Sequence, residues 1–162
     1  MSKRHSNSNY LLESIANKKW NNVRNYIDQA RFPDSSNAYA LHRICSYFTA
    51  PIDIVAAIYN AYPVAAFFLF DNGRTPISIA VDAGFEDAVR FLAKACPEAC
   101  LIPDYHGSTP LFSAVYKVSY SEMIDDLLDA CPRATFIKRY NDGNSAFHGY
   151  FDVWNVDVRI SL

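Results

Sequence analysis

Apolar residues recur at helical spacing along most of the chain, and turn residues cut them into short runs. Leu11, Leu12 and Ile15 form one stripe; Trp20, Val23 and Ile27 form the next. Both predict short helices with one buried side. Three further stripes align when the chain is anchored on Pro63, Pro97 and Pro132, which lie 34 and 35 residues apart. One column of that alignment holds Val55, Val89 and Ile124; another holds Ile58, Leu92 and Leu127. Alanines flank each proline on both sides, as Ala61, Ala95 and Ala130 and as Ala65, Ala99 and Ala134. Such small residues predict close approach between neighbouring units. Each helix is expected to stop before its proline, because the residue ahead of a proline is pushed out of the helical region.

A second marker keeps nearly the same period, out of phase with the first. Asn72-Gly73-Arg74-Thr75-Pro76 matches His106-Gly107-Ser108-Thr109-Pro110 and, more weakly, Asp142-Gly143-Asn144-Ser145-Ala146, with the glycines 34 and 36 residues apart. Glycine supplies a positive φ for a tight turn. Thr75 and Thr109 are placed to cap a following helix, and Pro76 and Pro110 fall at the first helical position, where a missing N–H does little harm. Each unit therefore reads as turn, helix, short turn, helix, loop.

This pattern resembles the ankyrin repeat, with its period of about 33 residues and its turn followed by T-P-L-H-x-A. The motif reads T-P-I-S-I-A at Thr75 to Ala80 and T-P-L-F-S-A at Thr109 to Ala114. An earlier unit aligns on Leu41-His42-Arg43-Ile44, with Tyr39-Ala40 in place of Thr-Pro, and Phe147-His148 marks a last one. The resemblance implies an all-α fold, an ankyrin-like helix-turn-helix solenoid with short turn and hairpin connections. The expected organisation is a disordered lead at 1–8, an N-terminal capping helix pair at 9–36, repeats at 37–70, 71–103 and 104–139, and a partial repeat with an atypical tail at 140–162. In that tail Val153, Trp154, Val156, Val158, Ile160 and Leu162 stand where a solenoid is usually closed by polar residues. A truncated array and a strand-like tail packed on the last unit both fit.

Composition narrows the function classes. The chain has 162 residues, 51% apolar and 20% charged, with a net charge of −2. That suits a globular domain and lacks the basic excess that phosphate binding demands. Basic clusters are short, at Lys3-Arg4, Lys18-Lys19 and Lys138-Arg139. Residues 47–70 are apolar over a spanning length, but Pro51, Asp53, Asn60 and Pro63 interrupt them. No nucleic acid and no membrane insertion are expected. The absence of an apolar signal core in the first residues points to an intracellular, cytoplasmic location.

Motifs for chemistry are sparse. Cys96 and Cys100 occupy repeat positions shared with Tyr62 and Cys131, and with Ala66 and Thr135, so buried packing explains them, as it does Cys45. His42 and His148 fall at the histidine of T-P-L-H, where a structural hydrogen bond is the expected role. Glu86, Asp87 and Glu122 sit where they complement helix dipoles, and Asp125-Asp126 reads as a solvated face. No cofactor and no metal are expected, and the chain is not expected to be an enzyme.

The resemblance implies a protein-interaction scaffold or adaptor. Family members bind through turn tips and first helices, so the expected contact residues are Asn72, Arg74, Asp82, Tyr105, His106, Ser108, Tyr116, Lys117, Asn141 and Asn144. Two alternatives stand beside this reading: a regulatory ankyrin-like part of a larger enzyme or channel, and a cysteine-based redox or metal enzyme.

Overall fold

The computed structural model describes residues 4–28, 39–117, 122–140 and 142–148. Helices α1 (Arg4–Ala16) and α2 (Trp20–Asp28) form a first pair. Then come α3 (Ala40–Cys45) with α4 (Ile52–Ala61), α5 (Pro76–Ala83) with α6 (Glu86–Ala95), and α7 (Pro110–Lys117) with α8 (Glu122–Ala130). Helical backbone resumes at residues 146–148. The helices stack in two ladders. α1, α3, α5 and α7 pack in series as one row, and α2, α4, α6 and α8 pack in series as the other. The fold is an all-α ankyrin-like solenoid. The only strand-like pairings among the described residues are single bridges, Phe70 with Arg74 and Lys138 with Ser145.

The columns read from the sequence form the core between units. Val55, Ile58, Val89, Leu92, Ile124 and Leu127 are all buried. The first helices add Leu41, Ile44, Ile77, Ala80, Leu111 and Ala114, and the leading pair adds Leu11, Ile15 and Val23. The two alanine columns separate. Ala65, Ala99 and Ala134 are buried as expected, but Ala95 is exposed and Ala61 and Ala130 are half-buried. At Ala95 the bare backbone serves a different end: Tyr59 donates its hydroxyl to the Ala95 carbonyl at 2.9 Å.

The prolines begin structure as well as end it. Pro63, Pro97 and Pro132 each open a one-turn 3-10 helix, Pro63–Phe67, Pro97–Leu101 and Pro132–Phe136. The residue ahead of each, Tyr62, Cys96 or Cys131, is held near φ −150 and ψ 70, outside the helical region as proline requires. The helix α1 starts at Arg4, inside the segment expected to be a disordered lead. Ser6, Asn7, Ser8 and Asn9 carry no apolar stripe, so periodicity cannot mark that turn. The atypical tail and Asn141 lie outside the described residues.

The turn tips lock into one another. Thr75 Oγ1 accepts the Ser78 N–H at 3.4 Å and Thr109 Oγ1 accepts the Phe112 N–H at 3.2 Å, capping α5 and α7. The Tyr105 N–H donates to the Asn72 carbonyl at 2.9 Å, tying one tip to the next. Gly73 and Gly107 have φ of +78 and +84. A Cβ on Gly73 would lie 2.4 Å from the Tyr105 ring, and one on Gly107 would lie 2.6 Å from the Tyr140 backbone nitrogen. Gly143 shares the positive φ but faces open space. Alanine substitutions should therefore be graded. Gly143→Ala should cost about 1 kcal/mol from backbone strain alone. Gly107→Ala should cost roughly 3 kcal/mol, because backbone cannot swing aside. Urea unfolding of the two variants checks the order, and equal costs would contradict the tip-on-tip packing.

Candidate functional site

Most of the expected contact residues gather on the row of first helices and its tips, where three of them turn out to pair with one another. The Arg74 guanidinium donates to Asp82 at 2.8 Å and to the Asp71 carboxylate at 2.6 Å. The Lys117 ammonium reaches the second carboxylate oxygen of Asp82. Arg74, Asp82 and Lys117 thus form a chain of charge running from the α5 tip to α7. Partial burial opposes the charge on Arg74, but its hydrogen bonds to Asp82 and Asp71 and their negative charge outweigh it and raise the guanidinium pKa above its ordinary value.

The tips divide between display and construction. Tyr105 is 71% exposed, although its ring also rests against Gly73. His106 is exposed, and its N–H donates to Asp104 Oδ1 at 2.9 Å. The Ser108 N–H donates to the same oxygen at 2.8 Å, so Ser108 belongs to the turn. In the last tip the Asn144 N–H donates to Asp142 Oδ1 at 3.0 Å. Asn72 is exposed with a φ of +57. Tyr116 is half exposed and stacks on Phe112, ring centroids 4.4 Å apart.

A groove of about 800 Å³ opens on the inner side of α1, α3 and α5, lined by Leu12, Tyr39, His42, Arg43, Phe70 and Ile79, with Arg74 and Asp82 on its wall. Tyr39, His42 and Phe70 form an aromatic cluster with centroids 5.1 to 5.8 Å apart. None of Tyr39, Arg43 and Phe70 stood among the expected contacts. Tyr39 did carry a signal, because it replaces the threonine of the other units. Phe70 carried a weaker one, occupying the turn position that Asp104 and Arg139 hold elsewhere.

With this geometry in place, comparison with known families becomes decisive. A family model for ankyrin repeats matches three copies over residues 41–137, more than half of the chain. The chain belongs to the ankyrin-repeat family. Ankyrin repeats are in general protein-interaction modules and typically non-catalytic. No curated protein matches this ankyrin chain.

All four cysteines are free and buried. Burial pushes the Cys45 thiol far up, the Cys96 thiol up, and the Cys100 thiol up to about 12. A suppressed thiolate is a poor nucleophile and a poor ligand. Among the described residues, no group of three or more His, Cys, Asp and Glu side chains is arranged to hold a metal. No helix among them is long and apolar enough to cross a membrane. Asp126 departs from the solvated face expected of it: its carboxylate is mostly covered and accepts from Arg90 Nε at 2.9 Å, across from α6. The surface stripe of α8 faces a neighbouring helix at that point, which spacing within α8 cannot reveal.

His42 is buried, and its Nε2 donates to the Phe68 carbonyl at 2.8 Å, linking α3 to the next unit. His148 has its own structural bond, its Nδ1 lying 2.9 Å from Ser145 Oγ. Desolvation lowers the His42 pKa to about 4, against partial support for the charge from the Phe68 and Arg74 backbone. The imidazole is neutral in the folded chain and charges near pH 6.5 when unfolded. Its contribution is complete above the unfolded value and is lost as pH falls toward 4. Between about pH 7 and about pH 5 this group should remove about 2 kcal/mol of stability. Urea unfolding at both values should show a smaller loss in His42→Leu than in the parent. An identical loss in both would show that His42 does not titrate with folding.

Proposed function

We propose that this ankyrin chain is a protein-interaction scaffold or adaptor that binds its partner through turn tips and first helices. The observation that carries the reading is a division of labour. Core stripes, caps and glycine turns hold the stack together, while Asn72, Tyr105, His106 and Tyr116 stand exposed on one row of elements. Aromatic groups that present a large rigid area at low entropic cost are the usual anchors of protein interfaces. Arg74, Asp82 and Lys117 contribute as a pre-formed charged strip, and Ser108 and Asn144 by shaping their tips. Asn141 belongs to the same proposed surface. The repeats are taken as residues 37–70, 71–103 and 104–139, behind a capping pair at 9–36. Four free buried thiols fit a reducing, cytoplasmic setting.

Affinity capture with the full chain from cells of its source, followed by variants, tests this reading. Asn72→Ala, His106→Ala and Tyr116→Ala combined should weaken the captured complex by about tenfold or more. Lys94→Ala, exposed on the second-helix row, should leave it intact. Tyr105 is left unaltered because its ring also supports Gly73. Full binding by the triple variant would remove this face from consideration.

A further inference from the structure

Two departures from the local rules followed by other units flank the groove between α1, α3 and α5. The first concerns the helix cap. Thr75, Thr109 and Ser145 occupy one repeat position and Tyr39 occupies it in the first unit. In the last unit the Ser145 N–H and hydroxyl meet His148 Nδ1 at 3.3 and 2.9 Å. Tyr39 makes no side-chain cap bond, and the buried His42 Nδ1 is left without a hydrogen-bond partner. A buried acceptor without a donor is destabilising. What stands in its place is an aromatic shelf: Tyr39 and Phe70, 5.1 Å apart and each more than two-fifths exposed, above His42.

The second break is Lys18, which takes the left-handed conformation at the end of α1 with φ +54. The same bend after α5 uses Gly84 at φ +69. Both close with equivalent bonds, the Lys19 N–H to the Ser14 carbonyl at 2.8 Å and the Phe85 N–H to the Ala80 carbonyl at 2.9 Å. Glycine is the residue that bears this conformation without strain. The Lys18 ammonium lies 5.9 Å from the centre of the Tyr47 ring, and the Arg43 guanidinium lies 5.6 Å from the same centre. Arg43 also lines the groove. Neither cation has a carboxylate partner among the described residues, whereas Arg74 and Lys117 share Asp71 and Asp82. Departures from local rules that cluster in one place mark a site where stability is traded for function.

We propose that this groove docks a protein segment carrying an apolar or aromatic anchor side chain beside acidic residues. The inference rests on the partner-binding reading above and names the kind of partner. The anchor lies against Tyr39 and Phe70. The carboxylates meet Arg43 and Lys18, cations without a carboxylate partner among the described residues. Glu13, a carboxylate on the groove wall, limits where further acidic residues are tolerated.

The test selects binders to the full chain from a random peptide display library, then measures the synthesised peptides against variants. Selected peptides should be enriched in Asp and Glu next to an aromatic or aliphatic residue. Tyr39→Thr removes the aromatic shelf, and Lys18→Gly restores the local rule and should raise the melting temperature by about 4 °C. Both should bind about tenfold more weakly, with Arg43→Glu weaker still and Glu13→Gln tighter. Greater stability with weaker binding in Lys18→Gly is a pairing that a purely structural role would not produce. A selection with no acidic enrichment, or with no binder at all, overturns the proposal. So does undiminished binding by Tyr39→Thr and Lys18→Gly, or a preference for a single-stranded RNA oligonucleotide through the same residues. Peptides that ignore those variants but are lost on His106→Ala and Tyr116→Ala would leave the partner-binding face standing and refute this groove alone.

Discussion

Burial between consecutive helix pairs is the interaction on which everything else depends. No pair is thick enough to hide its own apolar stripe, so each covers the next. Leu92 and Val89 on α6 are buried because α4 lies on one side and α8 on the other. The same requirement fixes the other features. The prolines turn the chain out of each second helix, the buried alanines Ala65, Ala99 and Ala134 fill the return, and the glycine turns let one tip sit against its neighbour. Stacking of this sort buries one side of the first helices and leaves Asn72, His106 and Tyr116 exposed on that row and its tips.

Polar ties reinforce the apolar stack without replacing it. On the second-helix row Arg24 pairs with Asp53, Tyr59 with the Ala95 carbonyl, and Arg90 with Asp126 and Glu122. Each spans two units. Arg24 and Asp53 are largely exposed, and such pairs contribute little in water. Asp126 is mostly covered, so its bond to Arg90 sets register more firmly. On the first-helix row the chain from Arg74 through Asp82 to Lys117 does the same work. Side chains that look free within one helix are committed once the neighbour is in place.

That difference explains what the sequence could and could not disclose. The repeat was legible because two markers, the prolines and the glycine turns, are local chemistry repeated at a fixed period. Thr75 and Thr109 cap their helices as their spacing requires, and the four cysteines are buried as their repeat positions imply. The surface was less legible, because exposure depends on partners in other units. Ala95 shares a column with half-buried alanines yet lies in the open, its carbonyl accepting from Tyr59 of the preceding unit. Arg74 and Asp82 look like free contacts until each is seen to hold the other. The groove went unread at Tyr39 and Phe70 for the opposite reason: apolar residues are assigned to the core by default, and only the missing threonine beside His42 marked Tyr39 as different.

Coupling between units is the central claim, and the unfolding of a distant substitution tests it most directly. Trp20 lies on α2, at the opposite end of the stack from Leu127 on α8. In a background where Trp154 is replaced by Phe, Leu127→Ala should cost roughly 2–5 kcal/mol. If the stack is one cooperative structure, the urea midpoint reported by Trp20 fluorescence should fall together with the midpoint reported by helical circular dichroism. A Trp20 transition that keeps its parent midpoint while helicity is lost earlier would contradict the account, because the first helix pair would then be standing without the units stacked upon it.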